Sequence, residues 1–249
     1  MNVLIVADLH YSLHQFDWLL NAAADYDLVI IAGDLLDIAG HCDLDVQIVV
    51  MLKYLDRIRR RSQLMVCSGN HDGDARNGAD ELVAAWLQEA GEDGVQVDGE
   101  SVFLGKDLFT LCPWWDGPVA QQDMVDLLAA DALRVRDRWI WIHHAPPDRS
   151  AVSWTGRRHQ GDQGLTKLIE RFQPTMVVSG HIHNSPFRQG GSWVDRIGAT
   201  WVFNPGRQLG GIPAYITLDL ASSRAAWVSL AGQDSVDLTA PRLPAASAT

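Results

Sequence analysis

Residues 2–7 (NVLIVA) and 28–32 (LVIIA) are unbroken apolar runs of strand length, each stopping abruptly at a cluster of polar side chains. Runs of this kind are expected of strands buried on both faces. Between them Phe16, Leu19, Leu20, Ala23 and Ala24 recur at helical spacing. A second helix is predicted from Leu44, Ile48, Met51, Leu55 and Ile58, with Asp43 and Asp45 near its start and Arg59 to Arg61 at its end, the charge order that suits the helix dipole. Strand 64–68 (LMVCS) follows, then a third helix predicted from Leu82, Val83, Trp86, Leu87 and Ala90. Residues 94–111 read as short strands with turns. Two further strands fall at 139–142 (WIWI) and 175–179 (TMVVS), with a loop rich in Gly, Ser and Arg and a helix carrying Leu165, Leu168, Ile169 and Phe172 between them. Beyond 193 the helical spacing disappears, and runs at 200–203, 214–218 and 225–230 predict a mostly antiparallel sheet that closes the domain. Strands alternating with helices define an α/β layered class.

The chain has 249 residues and is 47% apolar, enough for a full core within one domain. That domain is expected over residues 1–232. The tail 233–249, ending APRLPAASAT, is too poor in apolar residues to fold alone and is expected to be disordered. Twenty Lys and Arg against 31 Asp and Glu leave a net charge of −11, so long nucleic acid is a disfavoured partner unless a local basic surface holds it. Three widely spaced cysteines (Cys42, Cys67, Cys112) without a CxxC pattern fit a reducing compartment, and the cytoplasm is expected. The opening MNVLIVADLH has no basic flank and meets Asp8 early, so it is expected to be a strand rather than a signal or a membrane span.

Chemistry collects where the predicted strands end, which is where open α/β sheets place their ligands. The five clusters are Asp8-Leu9-His10, Gly33-Asp34, Gly69-Asn70-His71-Asp72, His143-His144 and Gly180-His181-Ile182-His183. Oxygen and imidazole donors without thiolate suit borderline divalent ions such as Mn, Fe, Zn, Co or Ni. Seven candidate donors, Asp8, His10, Asp34, Asn70, His143, His181 and His183, exceed what one ion needs. Two ions sharing a carboxylate, roughly 3.5–4 Å apart, account for the count, and Asp34 is the natural bridge.

The ordered set DLH, GDLLD, GNHD, HH and GHIH resembles the five-block signature of calcineurin-like metallophosphoesterases, and it spans residues 8–183. The resemblance implies a four-layer α/β/β/α sandwich, two mixed sheets flanked by helices. It further implies two divalent ions, manganese favoured, the first held by Asp8, His10, Asp34 and His183 and the second by Asp34, Asn70, His143 and His181. In the fourth block the family pattern falls on His143, with His144 the weaker alternative. The implied reaction is phosphoester hydrolysis by a metal-bound hydroxide. His71 would face the substrate to stabilise the transition state or protonate the leaving oxygen, oriented by Asp72 and, as a further candidate, Asp37.

Weaker signals surround this set. Trp114 and Trp115 could stack a base over the site or simply pack, and Arg157, Arg158 and Arg207 could meet an anionic substrate or be solvated surface charge. A small or medium-sized phosphodiester, nucleotide-derived or otherwise, is the favoured substrate, with phosphomonoester hydrolysis close behind. A nuclease is a third option. From another class stands a non-catalytic scaffold on the same fold, like the family's retromer-associated relative, which could lose His71 without harm. No membrane partner is expected.

Overall fold

A computed structural model describes residues 1–239. Its strands are β1 (Asn2–Val6), β2 (Leu28–Ala32), β3 (Gln63–Cys67), β4 (Ala75–Arg76), β5 (Leu82–Val83), β6 (Ser101–Leu104), β7 (Asp107–Leu111), β8 (Trp139–Ile142), β9 (Met176–Val178), β10 (Val194–Ile197), β11 (Thr200–Phe203), β12 (Tyr215–Asp219), β13 (Arg224–Ser229) and β14 (Gly232–Asp237). Its α-helices are α1 (Leu13–Ala22), α2 (Leu44–Arg59), α3 (Leu87–Glu92), α4 (Pro118–Ala132) and α5 (Gln163–Phe172).

Two six-stranded sheets form the centre, in the orders β14-β13-β12-β1-β2-β3 and β10-β11-β9-β8-β7-β6. In the first sheet β1, β2 and β3 are parallel and β12 to β14 antiparallel. In the second, β7, β8, β9 and β11 run parallel between antiparallel edges. Strand alternation sorts the side chains into three apolar layers. Val3 and Ile5 of β1 meet Ile140 and Ile142 of β8 between the sheets. Leu4 and Val6 face α1 and α2 with Phe16, Leu19, Met51 and Leu55. Trp139 and Trp141 face α4 and α5 with Met124, Leu128, Leu165 and Ile169. Each such fully buried side chain contributes about 1.5–3 kcal/mol. The result is the four-layer α/β/β/α sandwich.

Several elements differ from the sequence reading. Leu82 and Val83 form β5, hairpinned to β4, and the third helix begins only at Leu87. Helix α4 was hidden because its inward positions, Ala120, Met124, Leu128 and the acidic Asp131, make a thin apolar stripe. Its start is nonetheless signalled by Pro118 in the first turn after Gly117. The closing segment is shared out: β10 and β11 join the second sheet, and β12 to β14 the first.

Residues 233–237 of the expected tail are strand. Gly232–Asp237 pairs along its whole length with β13, a backbone ladder that needs few apolar side chains. It is pinned by the Trp193 indole donating to Asp234 Oδ2 at 2.9 Å. The rest of that expected tail, 240–249, lies outside the described residues. Among the described residues no helix is long and apolar enough to cross a membrane.

Candidate metal centre

Strands β1, β2 and β3 of one sheet and β8 and β9 of the other end at the same place, and the chain turns sharply beyond them. Asp8, His10, Tyr11, Asp34 and His181 have φ of 56°, 43°, 55°, 56° and 65°, a left-handed conformation that costs a side-chain-bearing residue about 1–2 kcal/mol. Cross-loop hydrogen bonds hold it: the amides of Asp8, His10 and Tyr11 donate to the carbonyls of Gly33, Asp34 and Leu35 at 3.1, 2.9 and 2.7 Å. Glycine is required where these loops crowd. A Cβ on Gly69 would strike the Asp34 carboxylate, and one on Gly180 would lie 2.6 Å from Ala7 Cβ and 2.8 Å from Asp8 Oδ2.

Among the described residues three groups of donor atoms result; Asp34 belongs to two of them, and the third, His10, Asp37 and His71, adjoins the first through His10. In the first, His10 Nε2 lies 3.5 Å from Asp34 Oδ2 and 4.0 Å from Asp8 Oδ1. His183 Nε2 lies 3.3 Å from Asp8 Oδ1 and 3.1 Å from His10 Nε2. In the second, His144 Nε2 lies 3.2 Å from Asp34 Oδ2 and 3.8 Å from Asp8 Oδ1. His181 completes that group, and its Nδ1 sits 2.8 Å from Asn70 Oδ1. Six of the seven donors expected from the sequence therefore converge.

The seventh is corrected. His143 lies outside the cluster, and His144 takes its place. The reason is the two-residue period of β8: Trp139, Trp141 and then His143 point to the helix side, whereas Ile140, Ile142 and then His144 point between the sheets. His143 stacks on Trp115 with ring centroids 4.6 Å apart, and burial holds its pKa down at about 4. The alternation along WIWIHH carried this information.

The electrostatics of the cluster favour bound positive charge. Burial opposes a charged His144, yet Asp34 and Asp8 raise its pKa to about 10. Burial likewise opposes ionisation of Asp34, but the neighbouring His144 and His10 hold it below the usual carboxylate range. Burial pulls His10 and His181 down to about 4, leaving neutral imidazoles with free lone pairs. His144 Nδ1 faces the Ala32 carbonyl at 2.7 Å, so a neutral ring presents a lone pair on Nε2, which is fully buried and has no hydrogen-bond partner. An orphaned imidazole nitrogen among carboxylates, with its other nitrogen fixed by a carbonyl, is the arrangement of a metal ligand. The donor set fits a pair of borderline divalent cations.

The surrounding residues divide by what they touch. His71 stands edge-on to His10 at 4.5 Å, and its Nδ1 is 4.0 Å from Asp37 Oδ1. Asp37 is thus the carboxylate that faces His71. Asp72, expected in that role, has no contact with the His71 ring: its buried carboxylate accepts from the amides of Asp34, Leu35, Leu36 and Gly69 at 2.8, 2.8, 2.9 and 2.8 Å. It positions the loop that carries Asp34. Trp114 walls the cluster beside His181 and His144, with centroids 5.4 and 5.8 Å away. Trp115 is turned away, its indole donating to Asp162. The Arg207 amide donates to the His183 carbonyl at 3.0 Å, while Arg157 and Arg158 are exposed in a turn closed by Thr155 N to Arg158 O at 3.0 Å. Asn204 also bears on the site: its buried amide donates to the carbonyls of Val152, Gly180 and Ile182, fastening the loop of His181 and His183.

A family model described as calcineurin-like phosphoesterase matches residues 1–185. The chain belongs to that family, which takes in metal-dependent phosphoesterases. A solved structure of TT1561 from Thermus thermophilus is similar at a TM-score of 0.59 and 15% identity, over 95% of this chain and 98% of that one. The purple acid phosphatase PPD1 from yellow lupin is similar at 0.56 and 15%, over 99% of this chain and 57% of that one. At such identities these likenesses establish the fold. No curated protein matches the sequence.

Proposed function

We propose that this protein is a dinuclear metal-dependent phosphodiesterase acting on a small or medium-sized organic phosphate, nucleotide-derived substrates included. The observation that carries the reading is the pair of donor groups sharing Asp34. Asp8, His10, Asp34 and His183 would hold one divalent ion, and Asp34, Asn70, His144 and His181 the other, with manganese the favoured metal. When bound, such a pair neutralises phosphate oxygens and lowers the pKa of a shared water to near neutrality. His71 is the catalytic residue that faces the substrate, donating to a non-bridging oxygen or giving a proton to the leaving alkoxide from Nε2, since its Nδ1 accepts from the Ile38 amide at 3.4 Å, with Asp37 alongside. Trp114, against His144 and His181, would wall the second donor group from one side. Asp72 fixes the Asp34 loop from behind.

A diester is the favoured substrate; the leaving alkoxide of either ester needs a proton, which His71 on the open side would supply, and the assay separates the two. The three unpaired cysteines support a reducing compartment, for which we assign the cytoplasm. The test is hydrolysis of bis(p-nitrophenyl) phosphate and of p-nitrophenyl phosphate by Mn-loaded protein, wild type against Asp34→Ala. Faster turnover of the diester, lost in the variant, is expected. Preference for the monoester would make the protein a phosphatase. Two bound metals without turnover of either ester, or of a nucleotide panel, would favour a binding scaffold.

A further inference from the structure

Charge is distributed unevenly around the metal centre. The chain has 31 carboxylate side chains, yet from Arg171 to Leu218 there is one, Asp195, and residues 149–161 have none. Asp195 is already engaged by Ser150 Oγ and the Ala151 amide, both at 2.8 Å. The two acid-poor stretches pack together beside His183. The Trp154 indole donates to the Gln189 carbonyl at 3.0 Å, the Ser192 amide donates to the Ala151 carbonyl at 3.2 Å, and the Arg188 side chain lies over Gly156, 3.2 Å from where a Cβ would stand. The Arg207 amide, as noted, is bonded to His183 itself.

Four arginines rise from this region: Arg157 and Arg158 in one turn, Arg188 in the second stretch, and Arg207 at its inner edge. The first three are exposed and Arg207 is half-buried. Among the described residues none of the four forms a salt bridge, and the one arginine of these stretches that does, Arg149, pairs with its neighbour Asp148. Arg207 is near enough for its charge to be felt at His10.

The geometry points to an arginine collar that binds a second, non-scissile phosphate of the substrate. The inference deepens the phosphodiesterase reading and rests on it for what lies at the metal centre. Two cations and His71 would already meet the scissile group, so four further guanidinium groups on one rim exceed its needs. A guanidinium offers a planar fork of donors matched to phosphate oxygens. With no carboxylate beside them, these forks stay open to a ligand, and they provide local attraction that a protein of net charge −11 otherwise denies to a polyanion. The substrate class that follows is a phosphodiester whose retained arm carries another phosphate.

The test is calorimetric binding of thymidine 3′,5′-bisphosphate and thymidine 5′-monophosphate to Mn-loaded protein. The bisphosphate should bind about tenfold or more tightly at low salt, and the advantage should shrink as salt rises. In R157A/R158A/R188A the affinity ratio should fall towards one, and in R207K it should fall part of the way because charge remains and the fork is lost. Thermal midpoints show whether each variant folds; these side chains are outside the core, so they should. Equal affinities in the wild type, or a ratio untouched by the triple substitution, would overturn the proposal. So would oligothymidylate binding that tightens in proportion to length, which would make the collar a nucleic-acid surface. Turnover is read separately, as p-nitrophenol release from thymidine 5′-(p-nitrophenyl phosphate) and its 3′-phosphorylated form. Silence there would sink the phosphodiesterase reading while the binding ratio still decided the collar.

Discussion

Asp72→Ala should lower folding stability by about 3–5 kcal/mol, although the side chain touches no substrate-facing group. Its carboxylate accepts four backbone amides at 2.8–2.9 Å, three of them in the loop of Asp34. Each buried amide left without an acceptor costs about 1–3 kcal/mol, so four would cost about 4–12 kcal/mol if nothing moved. Loop relaxation and water entering the vacated space recover the upper part of that range. Part is also offset because the carboxylate is expensive to bury: desolvation and the nearby charge of Asp34 push its pKa up to about 7. Asp72→Asn keeps the shape and one accepting oxygen, and about half the loss is expected. Urea unfolding of metal-free protein measures both, with the slope checked to confirm that the same surface is exposed. The Ala variant should also bind Mn more weakly, since the Asp34 loop is released. A shift under about 1 kcal/mol, or an unchanged Mn affinity, would refute the positioning role.

Other outcomes follow from the same geometry. His144→Ala should lose one of two bound ions by elemental analysis and about a hundredfold or more in kcat/KM on bis(p-nitrophenyl) phosphate, whereas His143→Ala should keep both ions and lose only about 1 kcal/mol from its stacking with Trp115. The reverse pattern would restore His143 as the ligand. Asp98 accepts from the Ser68 amide at 2.9 Å, and burial pushes its carboxyl up to about 6 from 3.8. Being raised in the folded state, it gives stability that is complete below about pH 4 and lost as pH rises to about 6. Asp98→Asn should flatten that slope and gain about 1–3 kcal/mol at neutral pH, read from urea midpoints across pH 4–8. Chelation should remove the linked binding energy, about 2.7 kcal/mol per ion at a hundredfold excess of metal over its Kd, and so lower the thermal midpoint, while far-ultraviolet dichroism persists because the donors hang from strand ends outside the apolar layers.

Much of this was legible in the sequence because its signals are local. Unbroken apolar runs marked β1, β2, β3, β8 and β9, and the polar residues immediately after them marked the site. What escaped depended on partners far along the chain. The role of Asp72 is set by amides 36 to 38 residues away, and nothing near Asp72 distinguishes it from an orienter of His71. The polar strand β14 exists because β13 offers a ladder, a tertiary effect that composition does not register. Helix α4 buries Asp131 against Ser101 and Thr110, so a carboxylate stands where periodicity looks for an apolar residue. His144 was a different failure: the alternation of β8 pointed to it, and the family pattern drew attention to its neighbour instead.

Asp34 and His144, 3.2 Å apart, hang from different sheets, so the gap between the half-sites is gauged by the thickness of the apolar slab separating those sheets. Phe109 and Phe203 are spacers in that slab. Trimming or enlarging either would change the separation of the ligand halves by fractions of an ångström, the scale on which one divalent ion is told from another. Substitutions at Phe109 or Phe203 should therefore shift metal preference from deep in the interior, through residues remote from the donor atoms.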